Sequence, residues 1–314
     1  MSNAAPITRR EAVIGSLCAG CVAVQRTTAA GPATLNEIAP GIHVRRGVDA
    51  DATSANDDAI ANIGFVVGKD AVAVIDPGGS LGDGKRLRAS ILRVTRAPIR
   101  YVVMTHVHPD HVFGAGAFQP DHPEFVGHHR LPQALAVRGD YYRKRLEATL
   151  GAGRAGPIVM PTRLVQDHDE IDLGGGRRLQ LTAYPLAHSD CDLTALERQT
   201  GTLFSGDLLF VQRVPSLDGS LKGWLSALGA LKAVPAQRAV PGHGPTSVKW
   251  PAGSLDLERY LNGLLRETRQ ALKNGIDIDT AVTTVGQSER ERWRLFDAYQ
   301  GHNVTQAFKE LEWE

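Results

Sequence analysis

Four side chains that can bind a metal fall within six positions in the stretch THVHPDH, Thr105–His111: His106, His108, Asp110 and His111. Alternate side chains of an extended segment share a face, so His106, His108 and Asp110 point one way while the chain stays straight. Pro109 interrupts that geometry and lets Asp110 and His111 turn toward a neighbouring point. Two histidines one residue apart, then an adjacent Asp-His pair, can feed two metal ions about 3.5–4 Å apart. Four groups do not complete the coordination of two ions, so more must come from elsewhere. His188 follows LTAYPLA, Asp207 follows TLFSG and His243 follows AVPG. Each comes just after an apolar, strand-like run, and glycine precedes the last two. The set is all nitrogen and oxygen, which suits zinc and also iron or manganese.

Strands and helices must bring these positions together. IANIGFVVGKDAVAVIDPGGS holds two β-branched runs around Gly68-Lys69-Asp70, a hairpin signal. Gly84–Val94 suits an amphipathic helix, and IRYVVMT is a buried strand that ends at the motif. EFVGHHRLPQALAVRGDYYRKRLEATLG starts as a strand and turns helical. A Gly/Pro-rich loop follows over Gly151–Thr162. A second series runs strand, Gly-rich turn, strand to His188, and strand, turn, strand to Asp207. A helix over LKGWLSALGALKAV and a short strand to His243 complete it. The amphipathic stretch Leu255–Asn274 is a helix closed by Gly275, and the remainder is read as helical. The two series look alike, so the expected class is an α/β sandwich with sheets inside and helices outside.

The chain has 314 residues, is 42% hydrophobic and 22% charged, and carries a net charge of +1. That balance gives no electrostatic case for a nucleic-acid partner. The first residues differ. Arg9 and Arg10 precede an apolar stretch, Ala12–Val24, and small residues follow at Thr28, Ala29 and Ala30, in the order of an export signal. The stretch is too short for a membrane span. Thr8-Arg9-Arg10 resembles a twin-arginine signal, although only Ala12 stands where a large apolar residue is usual. A lipid anchor at Cys21, which alone would bring a membrane partner, and a frayed apolar terminus are the alternatives. Without this segment Cys191 is the sole cysteine, so no intrachain disulfide framework exists.

THVHPDH, AHSD at Ala187–Asp190, SGD at Ser205–Asp207 and PGHG at Pro241–Gly244 together resemble the metallo-β-lactamase-fold hydrolase superfamily. The resemblance spans Ile38 to Gly244 and implies a four-layer αββα sandwich with the site at one edge of the two sheets. Carried over position by position, it implies that His106, His108 and His188 hold one metal, that Asp110, His111 and His243 hold a second, and that Asp207 bridges them. Asp76 in VIDPGG matches a residue that orients a ligand histidine. Lactamases of this superfamily usually carry Cys or Ser at the position of Asp207, so the Asp resembles the glyoxalase II-like branch. THVHPDHVFGAGAF, VGHHRLPQAL and GLLRETRQALKNGIDIDTAV look like the exported metallohydrolases that accompany periplasmic quinoprotein and sulfur-oxidation systems. The chain then divides into an export signal over 1–30, a catalytic domain over 31–250 and a helical extension over 251–314 packed on it, and its place is the periplasm. If the leader is no signal, the place is the cytoplasm.

The implied function is a hydrolase with two zinc ions, in which a metal-bridging hydroxide attacks an ester, thioester or amide-type bond of a small-molecule substrate. Asp110 would orient the hydroxide and handle its proton. Two alternatives stand beside it: an iron-dependent sulfur dioxygenase on the same scaffold, and a non-enzymatic periplasmic protein that binds metal or cofactor for a quinoprotein system. Cys191 reads as a small buried hydrophobe. His128 and His129 read as structural or surface residues, and His43, His122, His168 and His302 as surface. Tyr141, Tyr142, Arg143 and Lys144 either line the substrate mouth or form a solvated helix face. The helix Leu255–Asn274 either caps the site or packs ordinarily. Gly151–Thr162 and the C-terminal helices are expected to shape the pocket.

Overall fold

The computed structural model describes Met1 and residues 33–314. The export-signal reading of residues 1–30, with Cys18 and Cys21, lies outside the described residues.

Thirteen strands form two sheets among the described residues. The first holds β1 (Asn36–Ala39), β2 (Ile42–Arg45), β3 (Ile63–Val67), β4 (Val72–Ile75), β5 (Ile99–Met104), β6 (Glu124–His128) and β7 (Arg163–Val165), in that spatial order. The second runs β13 (Val248–Lys249), β12 (Arg238–His243), β11 (Thr202–Phe210), β10 (Leu193–Glu197), β9 (Arg178–Ala183) and β8 (His168–Asp172). Pairs β4–β5, β5–β6, β6–β7 and β11–β12 are parallel. The helices are α1 (Leu81–Val94), α2 (Pro109–Val112), α3 (Leu131–Leu150), α4 (Leu221–Lys232), α5 (Leu255–Lys273), α6 (Ile278–Thr284) and α7 (Phe296–Leu311), with short 3-10 turns at Phe113–Asp121, Ala252–Ser254 and Gln287–Arg292.

The period-2 alternation of the strands sorts their apolar side chains into layers. On β4, Val72 and Val74 face α1 and α3, where they meet Leu87, Ile91, Leu131 and Leu135. Ala73 and Ile75 face the other way, into the seam between the sheets, with Val66, Val103, Leu181, Leu193, Phe204 and Val240. The far side of the second sheet carries Leu203, Leu208 and Ala239 under Trp224 and Leu228 of α4, Tyr260 and Leu264 of α5, and Val304 and Phe308 of α7. The result is the four-layer helix–sheet–sheet–helix sandwich expected above. Residues 255–311 share one core with α4.

Three details differ from the sequence reading. Helix α1 starts at Leu81, because the Ser80 hydroxyl caps it by accepting from the Asp83 amide at 3.1 Å. The run before His188 is not one strand pair: β7 joins the first sheet while β8 opens the second, and β9 stops at Ala183, so His188 lies in a loop. Asp207 lies inside β11, which continues to Phe210.

Candidate metal centre

The motif folds as the proline demands. β5 ends at Met104, His108 is still extended, and Pro109 opens the single turn α2, which swings Asp110 and His111 to a second side. The other side chains come from the loop after β9 (His188), from within β11 (Asp207) and from the last residue of β12 (His243). At Gly206 the backbone adopts φ +51° and approaches Thr105 so closely that a Cβ would stand 2.7 Å from that threonine's Cβ. Glycine is the residue that accepts both constraints, and it lets Asp207 enter the site from mid-strand.

All seven sequence-predicted residues are brought together and buried, in two sets. His106, His108, His188 and Asp207 form one, and Asp110, His111 and His243 the other; within each set the candidate ligand atoms lie within 4.8 Å of one another. Asp207 stands between them. Its Oδ2 is 3.6 Å from His106 Nε2, 3.5 Å from His188 Nε2 and 3.4 Å from His243 Nε2, and its Oδ1 is 3.2 Å from His111 Nε2. Asp110 Oδ2 is 3.2 Å from His243 Nε2.

Each ring is held from behind. His188 Nδ1 donates to the Ser216 carbonyl at 2.8 Å, and His243 Nδ1 to the Ile60 carbonyl at 3.1 Å. His111 Nδ1 lies 2.7 Å from Asp76 Oδ2, His106 Nδ1 3.0 Å from Thr105 Oγ1, and His108 Nε2 2.7 Å from Asp218 Oδ2. For His188, His243, His111 and His106 these acceptors favour ring protons on the outward nitrogens, whereas His108 Nε2 lies close to Asp218 without hydrogen-bond geometry. The inward nitrogens face one another: His108 Nδ1 is 3.0 Å from both His106 Nε2 and His188 Nε2, so three ring nitrogens converge on one point. His111 Nε2 and Asp207 Oδ1 are buried without a hydrogen-bond partner. A cation in each set satisfies this arrangement, and buried orphan groups ordinarily require such an explanation. The residues therefore fit divalent metals of the nitrogen- and oxygen-ligated class.

Electrostatics divide the rings: against burial, Asp218 raises His108, and Asp207, Asp110 and Asp76 raise His111 well above the ordinary histidine range. Burial pushes His188 down to about 4, and burial with the neighbouring His111 holds His106 well below the ordinary histidine range. Burial opposes ionisation of Asp207, yet His243, His111 and His106 hold it well below the ordinary carboxylate range. Asp58, 2% exposed and without a partner for Oδ2, is pushed well up by burial and by Asp110.

A cavity of about 440 Å³ opens over His108, Asp110, Asp207 and His243. Its walls are α3 (Tyr142, Arg145, Leu146, Thr149), the segment Asp51–Ile60, Arg213–Asp218 and, from α7, Ala298 and Tyr299. Tyr142 thus lines the mouth, whereas Tyr141, Arg143 and Lys144 do not. The expectation for Gly151–Thr162 needs correction: this loop packs away from the cavity, with Gly156 against Leu81 and Pro157 against Gly116. No residue of α5 lines the cavity; that helix packs against α4 and α7.

Other readings resolve as follows. Asp76 orients His111 and also accepts from the Thr105 amide at 2.8 Å and hydroxyl at 2.9 Å. Buried His128 is structural, with Nε2 3.0 Å from the Tyr184 carbonyl. Cys191 is buried and belongs to neither set. His43 is half-buried and stacks on Phe65, and His122 and His168 are exposed. His302 is exposed, as expected, and its Nε2 lies 2.8 Å from Asp218 Oδ1. Sequence reasoning missed Thr105, Asp218, Arg213, Asp58 and Tyr299. None follows an apolar strand-like run with a glycine, the signal that marked Asp207 and His243.

Residues 56–243 match the profile of the Metallo-beta-lactamase superfamily. A "Beta-lactamase-like protein 2 homolog" of Caenorhabditis elegans is 25% identical over 184 residues, covering 59% of this chain and 54% of that protein. The chain thus spans about half the length of this curated relative. Among solved structures, the inverting sec-alkylsulfatase Pisa1 from Pseudomonas sp. superposes with a TM-score of 0.65 at 16% identity, over 89% of this chain and 50% of that one. A metallo-beta-lactamase from Pontibacter korlensis superposes with 0.56 at 20% identity, over 72% and 98%. At these identities the likeness to solved structures shows the fold.

Proposed function

The chain belongs to the metallo-beta-lactamase superfamily, and from that premise we propose that it is a hydrolase with two divalent metals, zinc ahead of iron or manganese, that cleaves an ester, thioester or amide-type bond of a small substrate. The single observation that carries this reading is the pair of facing sets of buried ligand atoms, with Asp207 between them. His106, His108 and His188 would hold one ion, Asp110, His111 and His243 the other, and Asp207 both. When bound, such ions supply Lewis acidity and bring the pKa of a water toward neutrality. The chain's own residues do the rest. Asp110, at the cavity floor, is the carboxylate placed to take the proton of an attacking water. Asp76, Thr105, Asp218, Ser216 and Ile60 fix the rings so that little reorganisation is needed during reaction. The walls from α3 and α7 enclose the substrate and limit water around it.

Asp207, where lactamases of the superfamily usually carry Cys or Ser, favours a glyoxalase II-like member over a lactamase. The leader supports the periplasm as its place, beside a quinoprotein or sulfur-oxidation system.

Metal analysis of purified protein, run with ester, thioester and lactam substrates, tests the reading. Two zincs per chain with turnover support it, and His108→Ala should abolish turnover and lower metal content. One iron per chain with oxygen uptake replaces hydrolysis by sulfur oxidation. A retained small molecule with no turnover replaces it by an accessory binding role.

A further inference from the structure

We infer that helix α7 is a working part of the metal centre: through His302 and Asn303 it clamps the loop Val214–Asp218, and that loop fixes two of the three histidines in the first set. The inference rests on the reading that His106, His108, His188 and Asp207 hold a metal.

The loop meets the site twice. The Ser216 carbonyl accepts from His188 Nδ1 at 2.8 Å, and Asp218 Oδ2 lies 2.7 Å from His108 Nε2. Displacing it would release both rings together. The loop's ends are tied by backbone bonds, Val214 to the Arg294 carbonyl at 3.0 Å and Asp218 to the His188 carbonyl at 3.2 Å, and its middle is held by the C-terminal helix. The Leu217 amide donates to Asn303 Oδ1 at 2.9 Å, and Asn303 Nδ2 donates to the Pro215 carbonyl at 2.7 Å. Asn303 is fully buried, and its Nδ2 also lies 2.8 Å from the Tyr260 hydroxyl on α5, so both ends of the amide are used and its orientation is fixed. The neighbouring His302 points Nε2 at two acceptors, the Leu217 carbonyl at 3.0 Å and Asp218 Oδ1 at 2.8 Å. That nitrogen therefore carries a proton and donates to both. Asp218 is held by one oxygen while the other orients His108. The second set has its own supports in Asp76 and the Ile60 carbonyl, neither of which belongs to this loop. The clamp therefore acts on one metal and not on the other.

His302 and Asn303 are positioning residues under this inference. The test is zinc competition against a chromophoric chelator, with the full chain, which reads two dissociation constants. Residues that orient ligand histidines typically contribute 10–100-fold in metal affinity. His302→Ala, at a half-exposed site, should raise one constant about tenfold and leave the other unchanged, and His302→Gln, whose amide can donate to the same acceptors, should restore it. In a His243→Ala background, which breaks the second set, the remaining constant should still respond to His302→Ala. In a His188→Ala background it should not. Unchanged constants in His302→Ala overturn the inference. So does an equal rise in both constants with an earlier melting of the metal-free protein, which marks a general loss of fold. A wild-type chain that binds no zinc refutes the two-metal reading and the clamp with it; two zincs in wild type with no response to His302→Ala refute the clamp alone.

Discussion

Gly242 leaves Asp207 no room to move back: a Cβ on Gly242 would stand 1.8 Å from Asp207 Oδ1 and 2.9 Å from the Gly206 carbonyl carbon. The glycine before His243 is therefore required by the carboxylate across from it. Gly242→Ala must displace Asp207 or part β11 from β12. The expected result is loss of zinc and at least about 100-fold loss of turnover, with a stability cost of about 1–3 kcal/mol, as for overpacking elsewhere. Zinc content and urea unfolding of the same preparation check it, and a variant with two zincs per chain contradicts it.

Asp76 serves both sets, directly through His111 and through Thr105 to His106. It adopts φ +56°, a conformation that Asn also tolerates. Asp76→Asn therefore isolates the charge from the backbone. Zinc affinity should fall about 10–100-fold, with the fold intact by circular dichroism.

Asp192 is fully buried and accepts from the Ser189 amide at 2.8 Å and hydroxyl at 2.7 Å. Burial dominates and pushes it up to about 7 from 3.8. The folded protein then holds a proton that the unfolded chain releases between these values, so this group's contribution to stability falls as pH rises through that window and is constant above it. Unfolding of metal-free wild type and Asp192→Asn at pH 5 and pH 8 should show the wild type losing ground to the variant at the higher pH. A constant difference would refute it.

Burial, with Asp192 and Asp190 nearby, pushes the Cys191 thiol well up. It should be inert to thiol reagents in the folded chain. Cys191→Ala should leave the native count of reactive thiols unchanged and remove one equivalent in urea; loss of a native equivalent would contradict burial.

The candidate metal set was legible because its signals are local: a buried strand, then THVHPDH, and later glycines immediately before Asp207 and His243. The layers followed from alternation on strands such as Val72–Ile75. Other features left no local trace. All nine residues of β11 are buried, so no polar face marks where the strand ends, and Asp207 was read as lying past it. Asp218, His302 and Asn303 matter through partners distant in sequence, joined by loop geometry with no period. Gly151–Thr162 has the composition of a pocket loop but closes on α1 and the 3-10 turn instead.

The seam between the sheets has a consequence for assembly. The first sheet's half of the chain supplies His106, His108, Asp110 and His111, and the second supplies His188, Asp207 and His243. Neither half completes either set, so tight binding must wait until Val66 and Phe204 have closed into one core. A bound ion then acts as a rivet. It stabilises only the closed form, in proportion to the logarithm of its concentration over its dissociation constant, and it makes the opening of one sheet from the other a single event.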